Sequence, residues 1–207
     1  MTPTMEAIAD ELLTRSEGRA RYIVALAGPP GAGKSFRSAW LARQLNERQP
    51  GVAEVVPMDG YHFDNGVLES QGLLPIKGAP ETFDVDGLRH DLARLKRADR
   101  DVAVPVFDRP LDLARAGARV ITPGHRVLIV EGNYLLLDHG PWPALADYFD
   151  FSLFLEVADT VLEQRLIERW LGMGQDQAGA IAKTRDKDML NARLIKTRSI
   201  TADLHWH

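Results

Sequence analysis

One eight-residue stretch constrains this chain more than any other: Gly28-Pro29-Pro30-Gly31-Ala32-Gly33-Lys34-Ser35, which fits G-x-x-x-x-G-K-[ST]. Tyr22 to Ala27 before it is a short apolar run that reads as a buried strand. A helical pattern follows from Lys34 to about Arg48, with Trp40, Leu41 and Leu45 on one face. Glycines there permit positive φ and a close backbone approach. Successive N–H groups can then turn inward as an anion nest, aided by the positive end of the following helix. Lysine in a first helical turn opposes the helix dipole and needs another reason to be there. A mobile cation for the outer phosphates of a nucleotide supplies it, with the Ser35 hydroxyl as a Mg²⁺ ligand. Gly28 to Phe36 is the expected phosphate cradle, and the alternative is a solvated Gly/Pro loop.

The rest of the pattern alternates strands and helices. Helices are expected over Thr4 to Ser16, Asp84 to Arg97 and Asp159 to Leu171, and strands over Ala53 to Pro57, Val102 to Phe107, Arg126 to Glu131 and Phe149 to Val157. Arg119 to Thr122 reads as a short strand and Arg109 to Gly117 as irregular. Met58 to about Pro80 is a long Gly- and Pro-rich passage with little periodicity, a length that compact domains keep for function. One or two charged helices run on to about Arg198, and Leu204 fits a short last strand. This order predicts an α/β fold: a doubly wound, mainly parallel sheet with helices on both faces. At 207 residues, one domain is expected.

In such a sheet ligands gather at the carboxyl ends of strands. Glu131 ends the run Val127 to Val130 and is the expected second acid near the metal, with Asp150 and Glu156 as weaker rivals. Asp59 follows the second strand, where a carboxylate can take a proton from an attacking hydroxyl. Tyr61, His62, Asp84, Phe107 and Arg109 are candidate substrate contacts. A plain turn at Asp59-Gly60, a packed His62 and an N-cap role for Asp84 stay open as alternatives. Arg165 and Arg169 share a helical face and can close over transferring phosphates, or form an ion-pair ladder with Glu163 and Glu168. His205-Trp206-His207 is expected to be frayed or packed, without a role.

Composition excludes several classes. The net charge of −4 speaks against a nucleic-acid binder, and the absence of cysteine removes disulfides, thiolate metal sites and a cysteine nucleophile. The apolar runs are far short of the ~20 residues of a membrane helix. A cytoplasmic protein is expected, as monomer or homodimer.

GPPGAGKS, VVPMDGYHFD, PETFDVDGL, PVFDRPLD, VLIVEGNYLLL and RLIERWLGMG, in that order, resemble the P-loop small-molecule kinases. The nearest group is that of uridine kinase, bacterial pantothenate kinase and phosphoribulokinase, and within it the bacterial proteins labelled fructose-transport-system kinase or nucleoside/nucleotide kinase family protein. The resemblance covers about Tyr22 to Asp203. It implies ATP and Mg²⁺ as cofactors, Asp59 as catalytic base, Lys34 and Ser35 as phosphate and metal ligands, and Glu131 as the acid near the metal. It also implies Asp84 near acceptor hydroxyls, Arg165 and Arg169 as lid arginines, and a small helical lid at about 165–178. PVFDRPLDLA departs from the uridine kinase pattern, placing Phe107 and Asp112 where a tyrosine and a histidine are usual. A hydroxylated, sugar-like or nucleoside-like acceptor is the expectation. Pantothenate- or uridine-kinase-like activity, an NTPase switch, and a nucleotide-binding regulator are the alternatives.

Overall fold

The computed structural model describes residues 3–207. Five strands make one parallel sheet in the order β2-β5-β1-β6-β7: β1 (Tyr22–Ala27), β2 (Ala53–Pro57), β5 (Val127–Gly132), β6 (Phe151–Leu155) and β7 (Leu204–Trp206). The continuous apolar runs of β1 and β5 are buried along their whole length, as strands covered on both faces must be. Side chains alternate between two cores. Tyr22, Val24 and Leu26 face one core, with α1 (Met5–Ser16), α2 (Lys34–Arg48) and α5 (Asp159–Gly172). Ile23, Ala25 and Ala27 face the other, with α4 (Val85–Arg97), Tyr134 and Trp142. α6 (Gln177–Lys183), a π-helical turn (Thr184–Asp188) and α7 (Met189–Arg198) complete the helices after β6. Among the described residues no helix is long and apolar enough to cross a membrane.

Two expectations change, and the open one about the chain end resolves. Arg109 to Gly117 is not irregular, since β4 (Leu113–Ile121) runs through most of it and pairs antiparallel with β3 (Val102–Asp108) in a separate two-stranded sheet. Much of β4 is exposed, so it shows little of the apolar pattern of a core strand. The passage from Met58 to Pro80 holds α3 (Asn65–Ser70), capped by the Asp64 carboxylate, and short 3-10 turns. The chain end is packed, because β7 pairs with β6 and Arg37 lies over the buried Trp206 ring.

The β3–β4 ribbon clamps the turn that follows β2. Gly60 in that turn (Met58–Tyr61) has no room for a side chain, since a Cβ would lie 2.4 Å from the Pro105 carbonyl oxygen on β3. Next to it, the His62 ring packs at a tilt against Phe83, with centroids 3.9 Å apart, and Phe107, at 4.8 Å. The Asp84 N–H donates to the Tyr61 carbonyl and the Phe63 N–H to the Thr82 carbonyl, which ties the turn to the start of α4.

Two measurements check this clamp. Gly60→Ala drives a methyl against backbone that cannot rotate away, and urea denaturation should show a loss of about 1–3 kcal/mol. Burial holds the His62 pKa below 6.5, against the pull of Asp59. Above pH 6.5 neither the folded nor the unfolded chain protonates this ring; below it the unfolded chain takes the proton first, so stability falls as pH drops. Unfolding free energies at pH 7.5 and pH 5 should therefore differ less in His62→Phe than in the wild type; equal differences would refute a neutral, half-buried His62.

Candidate active site

Strand register sets the site. Leu26 and Pro57 both pair with Glu131, so three strand ends are level. The phosphate loop leaves from β1, Asp59 stands two residues beyond β2, and Glu131 is the last residue but one of β5. Gly28, Gly31 and Gly33 have φ of 150°, 79° and 91°, values that L side chains rarely adopt. Gly31 also lets α5 approach, since a Cβ there would stand 3.1 Å from Leu166 Cγ. Pro29 O accepts from the Ala32 N–H within the loop, and Pro30 completes the bend. Gly33 begins α2 without a side-chain cap, which leaves first-turn N–H groups for a ligand. Phe36 follows, 70% exposed.

Lys34 is 8% exposed, and its ammonium donates to the carbonyls of Gly28 at 3.0 Å and Pro29 at 2.9 Å. Burial pulls its pKa down to about 8, against the opposing pull of Glu131 and Asp59. Glu131 is as buried, and desolvation pushes its pKa up while Lys34 draws it down. The Ser35 hydroxyl donates to Glu131 Oε1 at 3.2 Å. A serine hydroxyl beside a carboxylate is a hard-oxygen pair that suits Mg²⁺, which takes few protein ligands and completes its shell with phosphate and water.

On the acceptor side the structure brings Asp59, His62, Phe107 and Arg109 together. Arg109 donates to Asp59 Oδ2 at 2.5 Å, and His62 donates through Nδ1 to the Asp59 carbonyl at 2.9 Å. Tyr61 and Asp84 bind neither Asp59 nor Arg109, although they share a groove with His62. Tyr61 is buried and donates its hydroxyl to Asp91 on α4 at 2.8 Å. Asp84 takes the N-cap alternative: its Oδ1 accepts from the Gly87 N–H at 2.8 Å, and the residue lines an open groove on the α4 side with Tyr61 and His90.

Sequence reasoning missed Lys77 and Asn65. Lys77 donates to Asn65 Oδ1 at 2.6 Å and to the Asp112 carbonyl at 2.8 Å, pairs with the Asp112 carboxylate at 3.0 Å, and lies over the Phe107 ring. Asp112 holds φ 52° in the left-handed region while binding Asn65 and Lys77, a strain that side-chain contacts sustain. A lysine inside a Gly/Pro passage gives no sign of these partners.

From α5, Arg165 donates to the Gly31 carbonyl at 3.3 Å, so it lies against the phosphate loop. Arg169 pairs with the buried Asp188 at 3.0 Å, which also accepts from Trp170 Nε1 at 2.7 Å. The ladder does not form: Glu163 pairs with Arg185, and Glu168 accepts from Gln164. Asp150 binds the Ile23 N–H and Lys96 at the opposite end of the strands, and Glu156 pairs with His205, which leaves Glu131 as the acid beside Ser35. The rim thus combines an anion nest, a buried ammonium, a carboxylate next to a hydroxyl, and a second carboxylate facing an aromatic and cationic wall. Such a set can hold a polyphosphate and take a proton from a nearby hydroxyl.

No protein-family model matches the chain. Among solved structures, one described as a "putative fructose transport system kinase" from Silicibacter sp. TM1040 is 46% identical, with a TM-score of 0.93 over 99% of this chain and 100% of that one. A Schizosaccharomyces pombe protein named "Putative uridine kinase" is 34% identical over 94% of this chain and 88% of its own length. Pantothenate kinase of Parvibaculum lavamentivorans is 31% identical over 83% of this chain, which spans 55% of that enzyme. With its phosphate loop on a parallel five-stranded sheet, the chain belongs to the uridine kinase and pantothenate kinase group of P-loop kinases, phosphotransferases with a hydroxyl acceptor.

Proposed function

We propose that this chain works as a single ATP-dependent kinase domain that transfers the γ-phosphoryl group to a hydroxyl of a small, polar, sugar- or nucleoside-like molecule. The observation that carries this reading is the level placement of the phosphate loop, Glu131 and Asp59 on one rim. In it, the loop Gly28 to Phe36 binds the phosphates of ATP through the main-chain N–H groups of its non-proline residues, with Pro29 and Pro30 shaping the bend. Lys34 leaves the carbonyls of Gly28 and Pro29 for the outer phosphates. Ser35 and Glu131 hold Mg²⁺, which when bound screens phosphate charge. Asp59 orients the acceptor hydroxyl and takes its proton, once Arg109 no longer occupies that carboxylate. His62, Phe107 and Arg109 contact the acceptor. Arg165 and Arg169 stabilise charge on the transferring phosphoryl group, and the α5–α6 segment at about 165–178 serves as lid and excludes water. The name of the most similar structure reported above supports fructose as one acceptor to try.

Acceptor-dependent ADP release across sugars, nucleosides and pantothenate tests this. Asp59→Asn should lower kcat by about 10²–10⁴, the usual worth of a general base, while ATP affinity stays within about twofold. Wild-type turnover in Asp59→Asn would remove the base role. ADP release independent of any acceptor and stimulated by a protein partner would favour an NTPase switch instead.

A further inference from the structure

The turn that joins β3 to β4, Arg109–Asp112, is pinned at both ends. At one end stands Lys77, whose side chain is only 12% exposed. An ammonium has three N–H donors, and Lys77 meets an acceptor with each: Asn65 Oδ1 at 2.6 Å, the Asp112 carbonyl at 2.8 Å and Asp112 Oδ1 at 3.0 Å. The Asn65 amide closes this ring of contacts by donating to Asp112 Oδ2 at 3.0 Å. The segment that carries Lys77 is itself fixed. The buried Tyr134 donates its hydroxyl to the Gly78 carbonyl at 2.6 Å, and the Gly78 N–H donates to Thr82 Oγ1 at 2.9 Å. At the other end of the turn, Arg109 donates to Asp59 Oδ2 at 2.5 Å. Lys77 and Arg109 both lie against the Phe107 ring, 5.1 and 5.9 Å from its centroid, and the Asp112 N–H donates back to the Arg109 carbonyl at 3.2 Å. A continuous path of contacts therefore runs from the core through Lys77 and the ribbon turn to the Asp59 carboxylate.

These contacts leave Lys77 no donor for a ligand, so its part is to hold the turn. What needs holding is Arg109. Its side chain is 65% exposed, and an ion pair to so exposed an arginine is weak, in part because a long side chain must be ordered to make it. Anchoring the turn fixes the backbone from which that side chain starts and lowers the cost. Asp112 keeps its left-handed φ of 52° within the same ring of contacts, so the turn is held in one shape against backbone strain. We infer that Lys77 is a positioning residue: with Asn65 and Asp112 it fixes the ribbon turn so that Arg109 covers Asp59 until an acceptor arrives, and water is not activated in the acceptor's place. This rests on the kinase reading above. In the reaction so suppressed, a water oxygen bonds to the γ-phosphorus, the bond to the bridging oxygen breaks with its electron pair left on ADP, and Asp59 takes the water proton. An acceptor that displaces Arg109 frees the same carboxylate oxygen for its own hydroxyl.

The test follows ADP release by the full chain from Mg²⁺·ATP with no acceptor present. It compares wild type, Lys77→Met, Asp112→Asn, Arg109→Gln and the pair Lys77→Met/Arg109→Gln, each with and without Asp59→Asn. Lys77→Met and Arg109→Gln should each raise acceptor-free ADP release by about two- to fivefold, the worth of one ion pair to an exposed arginine. Asp112→Asn should move it the same way, since asparagine tolerates the left-handed turn and loses only the charge. The KM for ATP should stay within about twofold in Lys77→Met and Asp112→Asn. Because Lys77 acts through Arg109, the pair should exceed Arg109→Gln alone by nothing measurable. No variant should show a rise once Asp59 is asparagine. A lysine with only a structural part would lower ADP release or leave it unchanged. No rise in Lys77→Met, a rise that survives Asp59→Asn, or an additive effect in the pair would overturn the inference. If circular dichroism shows Lys77→Met unfolded, Asp112→Asn takes its place with the same outcomes. Acceptor-dependent ADP release by the wild type, with sugars, nucleosides and pantothenate, tests the kinase reading separately. A panel in which no acceptor is turned over counts against that reading, while the comparison on ATP alone still decides the part of Lys77.

Discussion

A single ammonium organises the rim of this protein. Lys34 brings a full charge to a place where less than a tenth of it meets water, and there it finds two loop carbonyls at hydrogen-bond distance and the field of two carboxylates. The carbonyls belong to Gly28 and Pro29, which stand where they do because β1 lies level with β5 and β6. Glu131 is buried in turn beside that ammonium and the Ser35 hydroxyl. Each of these groups would be costly to bury alone, and together they offset one another. The arrangement is tolerable without a ligand and well matched to a polyphosphate, whose charge can take over from the carbonyls.

Where charge is satisfied also explains the division of labour among the arginines. Arg21, buried between α4 and β4, donates to the carbonyls of Leu95 and Thr122 and has a structural part. Arg165, resting on a loop carbonyl, and Arg109, on a carboxylate, are both exposed enough to exchange partners. Arg169 is anchored by a buried acid that holds Trp170 as well, so its position is set by the π-helical turn rather than by α5 alone.

Much of this was legible in the residues, because the signals were local. The phosphate loop, the apolar strands on either side of it and the acid near the end of β5 each declare themselves within a few positions, and strand alternation then implies a shared rim. What stayed hidden depended on long-range placement. Lys77, Asn65 and Asp112 meet only because α3 and the ribbon fold over the same loop, and the exposed residues of β4 disguise a strand as irregular chain. Asp84 and Tyr61 show the converse. Both stand at the right place along the chain, yet one caps a helix and the other turns its hydroxyl to Asp91, preferences that short-range chemistry favours.

The strand order carries a consequence for how the chain reaches this state. β1, at the centre of the sheet, pairs with β5 and β6, which lie about a hundred residues or more further along. Until those arrive, its backbone donors and acceptors face no strand, and its fully apolar surface is shielded on one side only, by α1 and α2. Closing such loops is entropically expensive, which makes assembly slow and exposes a sticky edge meanwhile. The early helices therefore act as a temporary cover for the strand from which the phosphate loop springs.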